Sequence, residues 1–120
     1  GVALDYTMNL DIAAANAHED ALLATATQAL ISLDGVTLVG TAAHKTSVLS
    51  FIIEGVHPHD LGTLLDNQGV AIRTGHHCAM PVMQRFGLEG TARASFSFYN
   101  DDEDVEQFIQ ALNKSVMMLR

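Results

Sequence analysis

Apolar side chains recur at helical spacing in four stretches of this chain, and each stretch predicts a helix. The first helix stops at Gly35, and the second begins with Pro58, a residue that suits the first turn of a helix. Gly87 ends the third helix, and Asn100 is the expected cap of the fourth, with Glu103 three residues further on. The four predicted helices cover residues 17–33, 58–69, 79–86 and the segment after residue 100.

Four runs that are rich in β-branched, aromatic or alternating residues predict strands between these helices. The last run alternates, so that Arg93 lies on one face and small or aromatic side chains lie on the other. Helices and strands therefore interleave, which predicts a single domain over residues 1–120 of the α/β class, in a two-layer α+β arrangement. Its small mixed or antiparallel sheet is covered by helices, and residues 40–46 form a loop. The predicted strands cover residues 36–39, 47–53, 70–73 and 92–98.

The composition of the chain excludes several classes of protein. The chain has 120 residues, of which 48% are hydrophobic and 17% are charged, so it can bury a core. Its formal net charge of −8 argues against binding to nucleic acid and to anionic membrane surfaces. No apolar run reaches the roughly 18 residues of a membrane-spanning helix. A single cysteine excludes an internal disulfide framework, and we expect a reducing, cytoplasmic location.

The first nine residues read as the end of a helix that is already under way. Gly1 is not an initiator methionine. We therefore expect that the sequence is a piece cut from a longer protein, or a processed one.

The only cysteine lies in residues 73–81, with the sequence RTGHHCAMP, between a predicted strand and a predicted short helix. Backbone N–H groups at a helix start favour the thiolate form of Cys78. The positive charge that Arg73, His76 and His77 can carry acts in the same direction. A lone cysteine is usually a small buried hydrophobe, but polar neighbours on a loop favour a nucleophilic or redox role.

Two histidine-rich segments raise the possibility of a metal site. His57, His59, His76, His77 and Cys78 offer up to five borderline or soft ligands. Adjacent residues on an extended loop point apart, and the spacing matches no common zinc motif. We therefore expect no metal, and we assign His57 and His59 to a helix N-terminus.

Arg93 is the second candidate for a functional residue. An arginine at the centre of a strand is either a solvated residue on an open face or a clamp for a carboxylate, which its planar fork binds with two hydrogen bonds. The pattern of the sequence leaves these two alternatives even. The same two alternatives apply to Arg73, which lies at the end of another predicted strand.

Residues 73–81 resemble the active-site loop of the pyridoxal-phosphate-dependent cysteine desulfurases. The match is to the type II branch (SufS/CsdA-like), which also includes selenocysteine lyase-like enzymes. The order of the segments 60–73, 93–95 and 99–100 agrees with that branch as well. The resemblance covers essentially the whole chain and is densest from residue 59 to residue 112.

This resemblance implies a fold and a chemistry. Enzymes of the family are homodimers with the fold type I aminotransferase architecture, and this chain resembles only their small C-terminal domain. The family's nucleophile falls on Cys78, which would attack the sulfur of L-cysteine and give L-alanine and a Cys78 persulfide. A SufE-like protein commonly accepts that sulfur for iron–sulfur cluster assembly. The arginine that holds the substrate carboxylate falls on Arg93, and Arg73 falls on an arginine that flanks the active-site loop. His76 and His77 match positions of that loop that are suited to proton handling.

The chain departs from the family at the cofactor. Pyridoxal phosphate needs a Schiff-base lysine and an acidic partner for its ring nitrogen. Only Lys45 and Lys114 are present, and the residues after Lys45 match a strand of the small domain instead of the cofactor site. The resemblance therefore implies that the cofactor belongs to the parent enzyme, so this chain alone is expected to be inactive. Two alternatives stay open: a selenocysteine lyase-like enzyme, and a stand-alone sulfur carrier or partner-binding module without a cofactor.

Apolar residues that face the large domain of such a parent would be exposed in this chain. We expect Met80, Val82 and Met83 to form such a surface.

Overall fold

The computed structural model describes residues 1–120 as five helices and one four-stranded sheet. All neighbouring strands are antiparallel, and their order in the sheet is β1-β2-β4-β3. This architecture confirms the predicted small sheet covered by helices and specifies it as fully antiparallel. In chain order the elements are α1 (Val2–Met8), α2 (Ile12–Ile31), β1 (Val36–Leu38), β2 (Val48–Ile53), α3 (Pro58–Asp66), β3 (Arg73–Gly75), α4 (Met80–Phe86), β4 (Thr91–Ser95) and α5 (Asp102–Leu119).

One face of the sheet forms the hydrophobic core with α2, α3 and α5. Leu49 and Phe51 of β2 are fully buried there, as are Leu61 of α3 and Leu112 of α5. The ring of Phe108 lies edge-on to Phe51, with centroids 6.4 Å apart, a favoured aromatic geometry. Each fully buried side chain of this size contributes about 1.5–3 kcal/mol to stability. The core therefore fixes the sheet firmly on this side.

The opposite face of the sheet carries polar residues. Along β4, Ala92 and Ala94 point into the core, so Thr91 and Arg93 point to the other side, as strand alternation requires. This second face lies against α4 and forms with it a cleft of about 250 Å³. None of the five helices combines the length and the apolar character that a bilayer crossing requires.

Helix α2 starts five residues earlier than the sequence pattern predicts. The side chain of Asp11 accepts a hydrogen bond from the Ala14 N–H and caps the helix. Ile12 and Ala13 are exposed, so the first turns of α2 present no apolar stripe to a core. Hydrophobic periodicity therefore gives no signal for these turns, and neither this start of α2 nor its cap was predicted from the sequence.

The predicted strand over residues 70–73 is wrong at both ends. The ladder runs from Arg73 to Gly75, and its first pair joins Arg73 to Arg93. Val70 is held elsewhere, because its N–H donates to the carbonyl of Leu65 at the end of α3. The β-propensity of residues 70–73 predicts a strand there. The hydrogen bond of Val70 to the end of α3 instead delays strand pairing until Arg73.

The predicted strand over residues 92–98 is shifted and too long, and the predicted cap of α5 is one residue early. β4 ends at Ser95, and the chain turns where the side chain of Asn100 accepts from the Ser97 N–H. Asp101 therefore caps α5, in a reciprocal capping box with Asp104.

Replacement of Gly90 by alanine is expected to destabilise the protein. A Cβ atom at Gly90 would lie 2.9 Å from the carbonyl carbon of Gly75, which is backbone and cannot rotate away. We expect Gly90→Ala to lower the free energy of unfolding by about 1–3 kcal/mol. Gly62→Ala is the comparison, because its Cβ would meet only the Thr74 side chain. Urea unfolding that ranks the two variants equally would contradict this reading of the Gly75–Gly90 contact.

Candidate active site

The segment that joins β3 to α4 has a strained backbone at the cysteine. His77 and Cys78 have φ angles of 55° and 56°, and they are the only non-glycine residues of the chain with positive φ. That region costs an ordinary side chain about 1–2 kcal/mol per residue. Gly75 bends the chain at the start of this segment with a φ of 114°, a conformation open to glycine. Backbone strain of this kind concentrates at functional sites.

His76 holds the turn in which Cys78 lies. The Cys78 backbone N–H donates to His76 Nδ1 at 3.0 Å, and the Ala79 N–H donates to the His76 carbonyl at 2.8 Å. His76 Nδ1 thus serves as the hydrogen-bond acceptor inside this turn. Cys78 is exposed and lies two residues before Met80, the first residue of α4. The predicted position of the cysteine, on a loop before a short helix, is confirmed, and its role as nucleophile stays a prediction.

His77 is attached to the neighbouring strand. Its Nε2 lies 2.9 Å from the hydroxyl oxygen and 3.2 Å from the carbonyl oxygen of Thr91. Loss of hydration lowers the pKa of His77 below its ordinary value of 6.5, and the positive charge of Arg93 lowers it further, with smaller effects from Arg73 and His76. The hydrogen bond to the Thr91 backbone opposes this shift. His77 is therefore mainly neutral at pH 7.

Titration of His77 is expected to show a midpoint below pH 6.5, measured from its imidazole NMR signals. Because protonation is easier in the unfolded chain, the stability linked to His77 is complete above pH 6.5 and is lost as the pH falls through the lower folded pKa. His77→Asn should remove this part of the pH dependence of unfolding, and asparagine tolerates the positive φ. A midpoint at or above 6.5 would contradict the burial and the cationic neighbours described here.

Arg73 and Arg93 lie directly opposite each other on β3 and β4, so their side chains share one face of the sheet. Like charges in such a pair are destabilising unless an anion lies between them. The other strand beside Arg93 offers Ser50, and the structure's one salt bridge joins Arg120 to Asp34. The Nε atom of Arg93 is buried without a hydrogen-bond partner. This arrangement favours the carboxylate clamp over the solvated face residue.

The cleft between α4 and the sheet brings the side chains of Arg93 and His77 to one place. Arg93, His77 and Thr91 line it together with apolar side chains of α4 such as Val82 and Phe86. His77 Nδ1 and Arg93 Nε are the two buried side-chain polar atoms of the structure that lack a partner, and both residues line this cleft. Thr91 is not among the residues predicted from the sequence, although its place two residues before Arg93 on an alternating strand was a usable signal.

The other residues considered from the sequence lie outside this cleft. His57 caps α3, where its Nδ1 accepts from the His59 N–H, as predicted. No group of three or more His, Cys, Asp or Glu side chains is placed to hold a metal ion. Lys45 donates to the Gly40 carbonyl in the loop between β1 and β2, and Lys114 is exposed on α5.

The predicted apolar surface on α4 is correct for two of its three residues. Met80 and Val82 are exposed, with 52% and 45% of their surface accessible, and Phe86 adds a third exposed apolar side chain. Met83 is instead buried, at 5% exposure. Met83 and Met80 are three positions apart, but Met83 faces the sheet and anchors α4 to it.

The fold and the site together define a small α+β domain that presents an exposed cysteine on a strained loop beside an unpaired arginine pair. The family model of the aminotransferase class-V proteins matches residues 1–108. The chain belongs to this family.

Known relatives agree with this family and extend beyond this chain. A probable cysteine desulfurase of Xylella fastidiosa is 51% identical over 112 residues, which are 93% of this chain and 27% of that protein. A cysteine desulfurase of Synechococcus elongatus is 44% identical over 114 residues, or 95% of this chain and 18% of that protein. The chain thus spans less than a third of the length of these relatives.

A solved structure shows the same fold. The crystal structure of the cysteine desulfurase CsdA from Escherichia coli superposes with a TM-score of 0.91 at 34% identity, over 98% of this chain and 29% of that one. A cysteine desulfurase from Thermococcus onnurineus gives a TM-score of 0.88 at 35% identity, over 95% of this chain and 29% of that one. The resemblance to cysteine desulfurases that residues 73–81 indicate is confirmed by these relatives.

Proposed function

We propose that this chain is the cysteine-bearing domain of a type II cysteine desulfurase, in which Cys78 takes the sulfur atom of L-cysteine. The observation that carries the proposal is the placement of Cys78 next to a cleft that holds an unpaired arginine. Cys78 directly follows His77, which lines the same cleft as Arg93. A substrate whose carboxylate binds Arg93 therefore has its remaining atoms near the cysteine loop.

The proposed reaction needs one nucleophile from the protein, and its atoms and electrons balance. L-Cysteine and the Cys78 thiol give L-alanine and a Cys78 persulfide: an S–S bond forms, the carbon–sulfur bond of the substrate breaks, and the substrate carbon takes up a proton. Arg93, with Arg73 opposite, holds the carboxylate through charge-assisted hydrogen bonds. His76 keeps the loop folded at Cys78 through its bond to the Cys78 N–H. Proton handling by His76 and His77 is part of the same proposal.

The residues of this chain do not fit as the anchor of the cofactor. Neither Lys45 nor Lys114 lines the cleft beside Cys78. We therefore assign the Schiff-base lysine and the acidic partner of pyridoxal phosphate to residues outside these 120. When bound in the whole enzyme, the cofactor supplies the electron sink for cleavage of the carbon–sulfur bond.

The exposed position of Cys78 also supports delivery of the sulfur to a second protein. A persulfide on an exposed loop can be attacked by an acceptor thiol without unfolding of the domain. We propose that a SufE-like protein is this acceptor, that the sulfur serves iron–sulfur cluster assembly, and that the whole enzyme is a cytoplasmic homodimer.

Product analysis of the full-length protein tests this function. Incubation with L-cysteine and a reducing thiol should release alanine and sulfide in equal amounts. Alanine from L-selenocysteine but not from L-cysteine would indicate the selenocysteine lyase-like alternative. A protein that forms no alanine, but takes up sulfur from another desulfurase on Cys78, would be the stand-alone carrier.

A further inference from the structure

We propose that Thr91 is a positioning residue for the reaction, which acts through His77 to hold the loop of Cys78 in its strained conformation. The inference rests on the proposed function for its kinetic consequence only. Thr91 is 1% exposed although it is polar. A buried hydroxyl is retained where it makes a hydrogen bond, and this one has its partner on the cysteine loop.

The cysteine loop is attached to β4 at two points. At its base, Gly75 pairs with Thr91 in the strand ladder, and Gly90 approaches Gly75 too closely for a side chain. Nearer to the cysteine, His77 Nε2 meets both oxygens of Thr91. One residue of β4 therefore holds the loop through its backbone at Gly75 and through its side chain at His77.

The strain at His77 and Cys78 explains why such an attachment is needed. Two consecutive left-handed residues persist only where surrounding contacts hold them. The hydrogen bonds inside the loop come from His76, and they fix the turn locally. Of the two contacts that join this turn to the sheet, the shorter is the hydrogen bond between His77 Nε2 and the Thr91 hydroxyl. Its loss should let the turn relax toward unstrained backbone angles.

The hydrogen-bonding roles also connect Thr91 to the substrate clamp. A carbonyl oxygen can only accept, so the contact with the Thr91 carbonyl requires a proton on His77 Nε2. Nδ1 is then an acceptor, and it is buried without a partner, as is the donor Nε of Arg93. The two atoms are complementary in their hydrogen-bonding roles, and both residues line one cleft. The backbone carbonyl of Thr91 thus sets the tautomer of His77, and the hydroxyl of Thr91 is the second contact that holds the ring in place.

The test is a set of variants of the full-length protein. Thr91→Val removes the hydroxyl at nearly constant size, and Thr91→Ser keeps it. We expect Thr91→Val to lower kcat about five- to tenfold, the effect of one lost hydrogen bond, with an unchanged KM for cysteine. Thr91→Ser should restore kcat. Thr63→Val is the matched control, because Thr63 lies on the exposed side of α3 and its hydroxyl bonds only the His59 carbonyl.

The same substitution in a protein that lacks His77 shows whether Thr91 acts through His77 or through the general stability of the domain. In a His77→Asn protein the partner of the hydroxyl is gone, so Thr91→Val should cause no further loss of kcat. An equal loss of kcat in both backgrounds would overturn the proposal, as would a rise in KM that Thr91→Ser does not correct.

Amide hydrogen exchange gives a readout that needs no activity. Exchange over residues 76–79 should become at least about fivefold faster in Thr91→Val and stay at the wild-type rate in Thr91→Ser and Thr63→Val. If the wild-type protein forms no alanine from cysteine, the proposed function fails, and the exchange rates alone decide whether Thr91 holds the loop. Unchanged exchange in Thr91→Val would overturn the proposal in either case.

Discussion

Cys78→Ala should abolish the formation of alanine and sulfide from L-cysteine, with a loss of at least about 1,000-fold in kcat. Within these 120 residues no second cysteine could replace the nucleophile. The exposed position of Cys78 means that its loss removes little buried contact, so the fold should be preserved. Alanine quantified at saturating cysteine is the measurement.

Two controls show whether the loss of activity in Cys78→Ala comes from the missing thiol or from a damaged protein. The melting temperature and the visible absorbance of the full-length Cys78→Ala protein should match those of the wild type. His59→Ala, a substitution at an exposed residue of α3, is the control that should keep full activity. Alanine production at the wild-type rate by Cys78→Ala would remove Cys78 from the mechanism.

Arg93→Ala is expected to raise the KM for cysteine more than it lowers kcat. A hydrogen bond to a charged group contributes about 1.5–3 kcal/mol, which corresponds to about a 10- to 100-fold rise in KM. Arg93→Lys should recover only part of the loss, since an ammonium group cannot reproduce the planar fork. Arg73→Ala should have a smaller effect of the same kind, because Arg73 is exposed at the sheet edge whereas Arg93 lies in a central strand.

The matched control for Arg93 is Arg85→Ala. Arg85 is an exposed arginine in the last turn of α4 and does not line the cleft, so its removal changes the net charge equally and leaves the clamp intact. Unchanged kinetics in Arg93→Ala would return this residue to a purely structural role on the sheet.

Periodicity and capping residues predicted most of the fold. The core stripe of α5, with Val105, Phe108 and Leu112, follows one face of a helix and is buried as expected. Pro58 and Gly87 bound α3 and α4 at the predicted places. These features depend on local chemistry, which a sequence displays directly.

Features that depend on contacts between distant residues were not predictable in the same way. A prediction that Arg73 lies opposite Arg93 would need the register between β3 and β4. That register depends on where β3 begins, and the turn at Val70 moves this start towards Arg73. The contact between His77 and Thr91 spans 14 residues and joins a loop to a strand. The positive φ of Cys78 is invisible in a sequence, since cysteine carries no preference for that region.

The most direct test of the central claim is the mass of the peptide that contains Cys78. The full-length protein is incubated with L-cysteine, alkylated to trap persulfides, digested and analysed by mass spectrometry. If Cys78 is the nucleophile, this peptide gains one sulfur atom, and omission of L-cysteine prevents the gain. Release of alanine and sulfide with no added sulfur on the Cys78 peptide would exclude Cys78 as the nucleophile, because the sulfur would then leave the substrate without passing through this residue.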